Sequence, residues 1–302
     1  KSAAAPFGIW MLIFTIVPLA IVAYFAFTDA NGQFTLSNIR EIGTYVGPFW
    51  DSIKLGAVAT AVCLLLAYPL AFIIARSTER VQQTMVMIVM IPMWMNFLLR
   101  TYAWMSILED KGFLNQFLGL FGLHFNMINT NGAIVLGMVY NFLPFMILPL
   151  YSVMAKMDTR ILEAAEDLGC NAFQVFRRIV LPLSTPGIVS GITMVFVPAV
   201  STFVISKLLG GGKNYMIGDI IESMFVGSAS DYNLGAALSL VLMVLMLLCM
   251  ALMHFVDQDE EEIVFFFFLI RCPLSTRRSF SCFCMRRSPC SSFSRSITPK
   301  TA

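Results

Sequence analysis

Six long apolar segments constrain the fold of this chain more than any other feature. They cover residues 6–27, 53–75, 84–108, 132–153, 186–206 and 234–256. A bilayer core about 30 Å thick needs about 20 apolar residues in helix, and a backbone inside it must satisfy its own hydrogen bonds. The sequence therefore predicts an all-α, polytopic membrane protein with six transmembrane helices, and membrane lipid is its expected surroundings.

Composition excludes several other classes of protein. The chain is 58% hydrophobic and 13% charged, and its net charge of +2 is too small for a surface that neutralises nucleic-acid phosphates. Seven cysteines are present, but none are spaced as zinc ligands, and Cys63 and Cys249 lie inside apolar segments. We expect no metal site and no nucleic-acid partner.

Basic residues predict the orientation of the chain, because Lys and Arg are retained on the cytoplasmic side during insertion. They concentrate in the second and fourth connections between segments, at Arg76, Arg80, Lys156, Arg160, Arg177 and Arg178. We expect these two connections and the amino terminus to be cytoplasmic. The predicted location is a bacterial plasma (inner) membrane.

The chain changes character after residue 256. An acidic run and four consecutive phenylalanines are followed by a stretch rich in Ser, Arg and Cys, without helical or strand periodicity. We predict a transmembrane domain over residues 1–256 and a disordered tail over residues 257–302. A frame-shifted reading of the gene and a genuine cytoplasmic extension are the alternatives for this tail.

The fourth connection, residues 154–185, predicts two short amphipathic helices. Thr159 or Asp158 can cap a helix over residues 160–168, and Gly169 can end it. A second helix over residues 172–180 is expected to end at Pro182. Their apolar stripes would consist of Ile161, Leu162, Ala165 and Leu168 in the first helix and of Phe173, Phe176, Ile179 and Val180 in the second.

The same connection carries a motif with specific spacing. Glu163, Ala164 and Ala165 are followed four residues later by Gly169, and then by Ile179, Leu181 and Pro182. This pattern resembles the EAA signature of permease subunits of binding-protein-dependent ABC importers, and its place between the fourth and fifth segments also resembles that family. The resemblance implies the type I importer (MetI-like) permease fold. It also implies that these seven residues form the contact with an ATPase.

An ATPase partner is needed because the chain has no phosphate-binding loop of its own. Gly212-Lys213 is followed by Asn214, and no glycine precedes it at position 207. The resemblance therefore implies that no cofactor is held on this chain. ATP and Mg would be bound by two partner ATP-binding subunits, beside a second permease subunit in a heterodimer and a periplasmic or extracellular solute-binding protein.

Further motifs resemble the spermidine/putrescine branch of this family. They include Ile91-Pro92-Met93-Trp94, Leu99-Arg100-Thr101-Tyr102, Lys111-Gly112-Phe113-Leu114-Asn115 and Leu209-Gly210-Gly211-Gly212. Permeases for iron, phosphonates or other small solutes share parts of these motifs, so such a solute remains the alternative. An ion-coupled secondary transporter is disfavoured because the segments have no carboxylate near their centres. An enzyme is disfavoured because only two histidines are present.

A path for a polyamine should offer aromatic faces and carboxylates. The candidates are Trp94, Tyr102, Trp104, Tyr140, Asp219, Glu222 and Asp231. Belt positions of the aromatic residues and solvation of the acids are the alternatives. Arg100 would repel a cation, so we expect it to be structural, with Glu109 or Asp110 as its partner. Gly187 and Gly191 predict a face for close helix packing.

Overall fold

The computed structural model describes residues 10–29, 32–119, 127–212, 215–227 and 231–271, with the backbone alone for residues 254–271. The chain divides into two units, Lys1–Met253 and His254–Ala302, and all packing given below lies in the first. The helices are α1 Leu12–Ala26, α2 Ser37–Glu41, α3 Val46–Arg76, α4 Glu79–Trp94, α5 Phe97–Leu108, α6 Phe113–Gly119, α7 Asn131–Met154, α8 Thr159–Asp167, α9 Ala172–Ser201, α10 Val204–Leu209, α11 Ile217–Val226 and α12 Tyr232–Arg271.

Several of these helices are long and apolar enough to cross a bilayer. They are α3 with its leading turns, α7, α9 and the Tyr232–Met253 part of α12, while α4 and α5 together would make a fifth span. The first predicted segment appears as the shorter α1, and its residues 6–9 lie outside the described residues. Extended pairing within the described residues is limited to one isolated bridge between Thr28 and Phe34. The predicted all-α, polytopic fold is confirmed.

The third apolar segment is broken, where the sequence predicts one continuous helix. The chain turns by 88° between α4 and α5. Met95 and Asn96 leave the helical conformation, and the Asn96 side chain accepts a hydrogen bond from the Leu98 N–H at 2.8 Å, as the N-cap of a new helix does. Residues 84–108 are therefore not one continuous helix, because this cap begins a second helix inside the segment, and their crossing of the membrane as one bent span stays a prediction.

The fifth segment differs at both of its ends. Pro182 does not end a helix, because α9 runs without interruption from Ala172 to Ser201. A π-helical turn over Phe176–Val180 comes just before the proline, and the Leu181 N–H bonds to the Phe176 carbonyl five residues back. This wide turn leaves room for a proline ring that would clash with the carbonyl four residues before it in a regular helix. At the other end, Thr202 and Phe203 separate α9 from α10.

The core centres on α7, which packs against α3 and α9. Gly187 and Gly191 of α9 face α7, as the sequence predicts. A Cβ at Gly191 would lie 2.6 Å from the Met146 sulfur, and one at Gly187 would lie 3.2 Å from the Pro149 carbonyl. Small residues therefore allow these two helices to approach closely.

The last helix continues beyond the predicted end of the membrane domain. Its backbone is helical as far as Arg271, through the acidic run that the sequence analysis assigns to an irregular tail. Residues 272–302 lie outside the described residues, so disorder there stays a prediction, as does the domain boundary at residue 256.

Candidate coupling site

Helix α8 begins and ends with local capping structures. The Asp158 side chain accepts a hydrogen bond from the Arg160 N–H at 3.0 Å, so Asp158, and not Thr159, is the N-cap. At the other end, the Gly169 N–H bonds to the Glu166 carbonyl and the Cys170 N–H bonds to the Ala165 carbonyl. This pair of bonds is a Schellman motif, and it needs the positive φ of 83° that Gly169 adopts.

The turn after Gly169 leads directly into α9. Asn171 and Gln174 form a reciprocal capping box, in which each side chain accepts a hydrogen bond from the backbone N–H of the other residue. Two capped helix ends therefore lie only a few residues apart. The bend between α8 and α9 is consequently specified by the local sequence.

Helix α8 and the first part of α9, residues 172–180, are called the helix pair below. One face of this pair packs on the membrane domain. Leu162 and Ala165 of α8 are buried in a cluster with Val175 and Val180 of α9, and Phe72 of α3 packs against the same cluster. The guanidinium of Arg76 lies 5.2 Å from the centre of the Phe72 ring. The pair is thus attached to the second apolar segment, a contact that the motif does not predict.

The opposite face is exposed. Glu163, Ala164 and Gly169 lie on the surface, and a Cβ at Gly169 would meet no heavy atom of the described residues within 4 Å. Leu168 is 79% exposed and Phe173 is 68% exposed. Two of the four residues in the predicted stripe of α8, Ile161 and Leu168, therefore face outward, and they give this surface apolar character.

The signature residues consequently divide between two roles. Ala165 is buried and Ile179 is half-buried, and both contribute to the cluster beneath the helix pair. Leu181 is 38% exposed, and Pro182 lies within α9 just after the wide turn. The motif thus contains residues that attach the pair to the membrane domain as well as residues that are exposed on its surface.

The predicted aromatic candidates lie in two different settings. The rings of Trp104 and Tyr140 meet edge to face, with 5.3 Å between their centroids, where α5 packs on α7. Trp94 is 77% exposed and Tyr102 is 48% exposed, on either side of the α4–α5 break. The first pair thus contributes to packing between α5 and α7, and the second pair presents exposed ring surface.

The three acidic candidates all have bonding partners within the chain. Asp219 is buried and accepts hydrogen bonds of 2.9 Å from the Ser206 hydroxyl and the Met216 N–H. Burial raises the pKa of this carboxyl, while those two hydrogen bonds oppose the change. Asp231 caps α12 by accepting bonds from the N–H groups of Asn233 and Leu234.

Glu222 is the third of these acids, and its carboxylate is paired with Lys207. The two groups are 2.9 Å apart, and the bond raises the pKa of the lysine. Glu222 also lines an open, largely apolar cleft of about 470 Å³ between α9, α11 and α12. The cleft wall includes Phe203, Phe225 and Met243.

Arg100 is buried on the inner face of α5, with 8% of its surface exposed. Neither Glu109 nor Asp110 pairs with it, because both salt bridges among the described residues involve other groups. Its Nε and Nη1 atoms are buried without a hydrogen-bond partner among the described residues, as is Oδ1 of Asn141. The predicted pairing of Arg100 with Glu109 or Asp110 is therefore absent among the described residues, and its structural role stays a prediction.

Comparisons with known proteins agree with the fold and the motif. Residues 5–261 match the family described as "Binding-protein-dependent transport system inner membrane component". A similar relative is the spermidine/putrescine transport system permease protein PotB of Haemophilus influenzae, 38% identical over 250 residues that cover 79% of this chain and 87% of the relative. The PotB of Escherichia coli K12 is 35% identical over 248 residues, covering 78% and 90%.

A solved structure supports the same architecture. A chain of a bacterial ABC transporter that imports the acidic polysaccharide alginate superposes with a TM-score of 0.70 at 18% identity. The match covers 85% of this chain and 94% of the other. At this level of identity the likeness shows a shared fold.

Proposed function

Because this chain belongs to the family of binding-protein-dependent transport system inner membrane components, we propose that it is a polyamine permease whose import is driven by an ATPase docked on residues 158–182. It is an inner-membrane permease component of an ABC importer, a transport protein and not an enzyme. The proposal adds the solute, the docking residues and the direction in which work is transmitted.

The observation that carries the docking proposal is the two-sided character of α8. Leu162 and Ala165 bind the helix to the membrane domain, while Glu163, Ala164, Leu168 and Gly169 face away from it. A small, partly apolar surface with one carboxylate suits a groove in a partner, where Ala permits close approach and Glu supplies a charge-assisted hydrogen bond. The partner ATPase binds ATP and Mg, and this chain transmits its movement.

Movement of the docked ATPase reaches the membrane by a short route. The buried cluster joins α8 to α9, and α9 continues as one helix across the wide turn into the fifth segment. Phe72 extends the contact to α3. A rigid-body displacement of the helix pair therefore shifts at least two spans together, as alternating access requires.

A polyamine is the proposed solute because relatives that are 35–38% identical over most of their length carry that name. The aromatic pair Trp104 and Tyr140 and the exposed Trp94 and Tyr102 offer faces that attract a cation. The assembly we propose contains a second permease subunit, two ATP-binding subunits and a solute-binding protein. The alternative solutes are iron, phosphonates or similar small molecules.

The test of docking compares two glutamates on the same helix. In the complex reconstituted with its ATPase and binding protein, Glu163→Ala should lower ATP-driven spermidine uptake about tenfold, since a hydrogen bond to a charged group is lost. Glu166→Ala is the control for loss of an exposed carboxylate on α8 that is not one of the seven signature residues, and it should lower uptake less than Glu163→Ala. Equal uptake by wild type and Glu163→Ala, or an ATPase that does not co-purify with the chain, contradicts the docking proposal.

The solute is tested separately by competition. Unlabelled putrescine and spermidine should displace labelled spermidine, whereas ferric complexes and phosphonates should not. Import of an anion with no import of either polyamine would reject the solute and leave the docking proposal standing.

A further inference from the structure

The wide turn of α9 lies between the docking surface and the membrane. Over Phe176–Val180 the helix has π geometry, and the Leu181 N–H bonds to the Phe176 carbonyl. Turns of this kind are rare, and they are one of the places where helices bend. A bend at this point would let α8 and the start of α9 move without moving the rest of α9.

One side chain from another helix contacts both ends of this turn. The ring of Tyr68, on α3, meets the ring of Phe176 edge to face with 5.5 Å between centroids. Its hydroxyl lies 2.8 Å from the Ser184 hydroxyl, two residues beyond Pro182. Tyr68 is 9% exposed and Ser184 is fully buried, so the hydroxyl contact is shielded from solvent, whereas the Phe176 ring is 36% exposed.

The direction of the hydroxyl contact follows from the second bond of Ser184. The Ser184 Oγ donates to the Leu181 carbonyl at 2.9 Å, and a serine has a single hydroxyl hydrogen. Tyr68 is therefore the donor and Ser184 is the acceptor. This arrangement satisfies the phenol hydroxyl and the serine hydroxyl, and it joins α3 to the membrane side of the wide turn.

The same face of α3 continues toward the helix pair. Phe72, one turn after Tyr68, packs on the cluster that includes Val175 and Val180, and Arg76 lies over the Phe72 ring another turn along. Tyr68 and Phe72 thus both contact α9, and Arg76 lies against Phe72 on the same face of α3. The contacts across the wide turn belong to a continuous line of packing.

We propose that Tyr68 is a positioning residue that clamps the wide turn of α9 and makes the docking surface and α3 move as one body. The ring restrains the docking side of the turn through Phe176, and the hydroxyl restrains the membrane side through Ser184. The inference rests on the proposed docking of an ATPase on residues 158–182. It adds a residue outside the EAA motif to the path by which ATP hydrolysis drives import.

The test measures how many ATP molecules are hydrolysed for each spermidine imported by the complete reconstituted complex. Tyr68→Phe keeps the ring and removes the hydroxyl, and Ser184→Ala removes the acceptor. Each should raise this ratio about threefold to tenfold, the effect of one hydrogen bond. The double variant should show no larger change than either single variant, because both remove the same bond.

The matched control is Tyr151→Phe, which also removes a side-chain hydrogen bond, the 3.1 Å bond from Tyr151 to Gln82, but away from the turn. Its ratio should equal that of the wild type. A ratio of ATP to solute does not depend on how much complex assembles, so a loss of stability alone would leave it unchanged. Ratios for Tyr68→Phe and Ser184→Ala equal to wild type, or matched by Tyr151→Phe, overturn the inference.

Failure of the clamp and failure of docking give different results. If Glu163→Ala abolishes uptake while Tyr68→Phe leaves the ratio unchanged, docking stands and the clamp is rejected. If Glu163→Ala has no effect, the docking proposal fails whatever Tyr68→Phe does.

Discussion

At the scale of a single residue, Asp219 is an acid that the sequence suggests as a contact for a cationic solute. In the fold, its carboxylate is already hydrogen-bonded within the chain. It lies in the first turn of α11 and is only 6% exposed. Its carboxylate accepts hydrogen bonds from the Met216 N–H and the Ser206 hydroxyl. A carboxylate near a helix N-terminus stabilises the helix through its free N–H groups. We therefore assign Asp219 a structural role, in contrast to Glu222 at the rim of the cleft.

A comparison of these two acids follows. Asp219→Ala should lower the free energy of unfolding by about 1–3 kcal/mol, because the buried Met216 N–H loses its acceptor. Glu222→Ala breaks an exposed salt bridge and should cost less than about 1 kcal/mol. Thermal unfolding of the purified chain in detergent measures both effects. A larger loss for Glu222→Ala than for Asp219→Ala would contradict the assignment.

The KM for spermidine gives a second readout for the same pair. Because both oxygens of Asp219 have partners in the chain, the remaining folded fraction of Asp219→Ala should import with an unchanged KM. An increase in KM confined to Asp219→Ala would return this residue to the substrate path.

At the scale of its helices, the stability of the molecule depends on the close packing of α3, α7 and α9. Gly56 of α3 faces Val200 of α9, and a Cβ there would lie 2.7 Å from Val200 Cγ2 and 3.4 Å from its backbone nitrogen. Valine has a stiff side chain, so it cannot turn aside as the Met146 side chain opposite Gly191 can. The two helices would have to separate to admit a methyl group.

Gly56→Ala should therefore destabilise the chain by about 1–3 kcal/mol through overpacking. Gly47→Ala is the matched control on the same helix, because a Cβ at Gly47 meets nothing within 4 Å among the described residues. Alanine there should be neutral or slightly stabilising, since it lowers the entropy of the unfolded chain. The measurement is the midpoint of thermal unfolding of each variant in detergent. Equal midpoints for the two variants would show that α3 and α9 are not in this contact.

The distribution of basic residues predicts the orientation of the whole molecule, with the fourth connection in the cytoplasm. In a cysteine-free background, Arg160→Cys should react with a membrane-impermeant maleimide only after spheroplasts are lysed. Lys111→Cys, in the third connection, should react in intact spheroplasts. Both positions are exposed on the surface of the chain, so access to the reagent depends on the side of the membrane. The reverse labelling pattern would invert the predicted topology and remove the docking surface from the ATPase.

Much of the fold and of the site was predictable because the signals are local. Segment hydropathy predicts helices in lipid, and the seven EAA positions predict which connection binds a partner. The caps of α8 and α9 also lie in the sequence, at Asp158, Gly169, Asn171 and Gln174. Each of these features depends on residues at most a few positions apart.

The sequence by itself therefore determined that this chain is a polytopic helical permease component, and it predicts where an ATPase docks. The tertiary structure decided that Ala165 and Asp219 are buried and that Tyr68 reaches Ser184. The physical reason is the distance along the chain over which each signal acts. Hydropathy and capping act within one or two turns of a helix, whereas burial and the partner of a hydroxyl depend on which distant helices pack together.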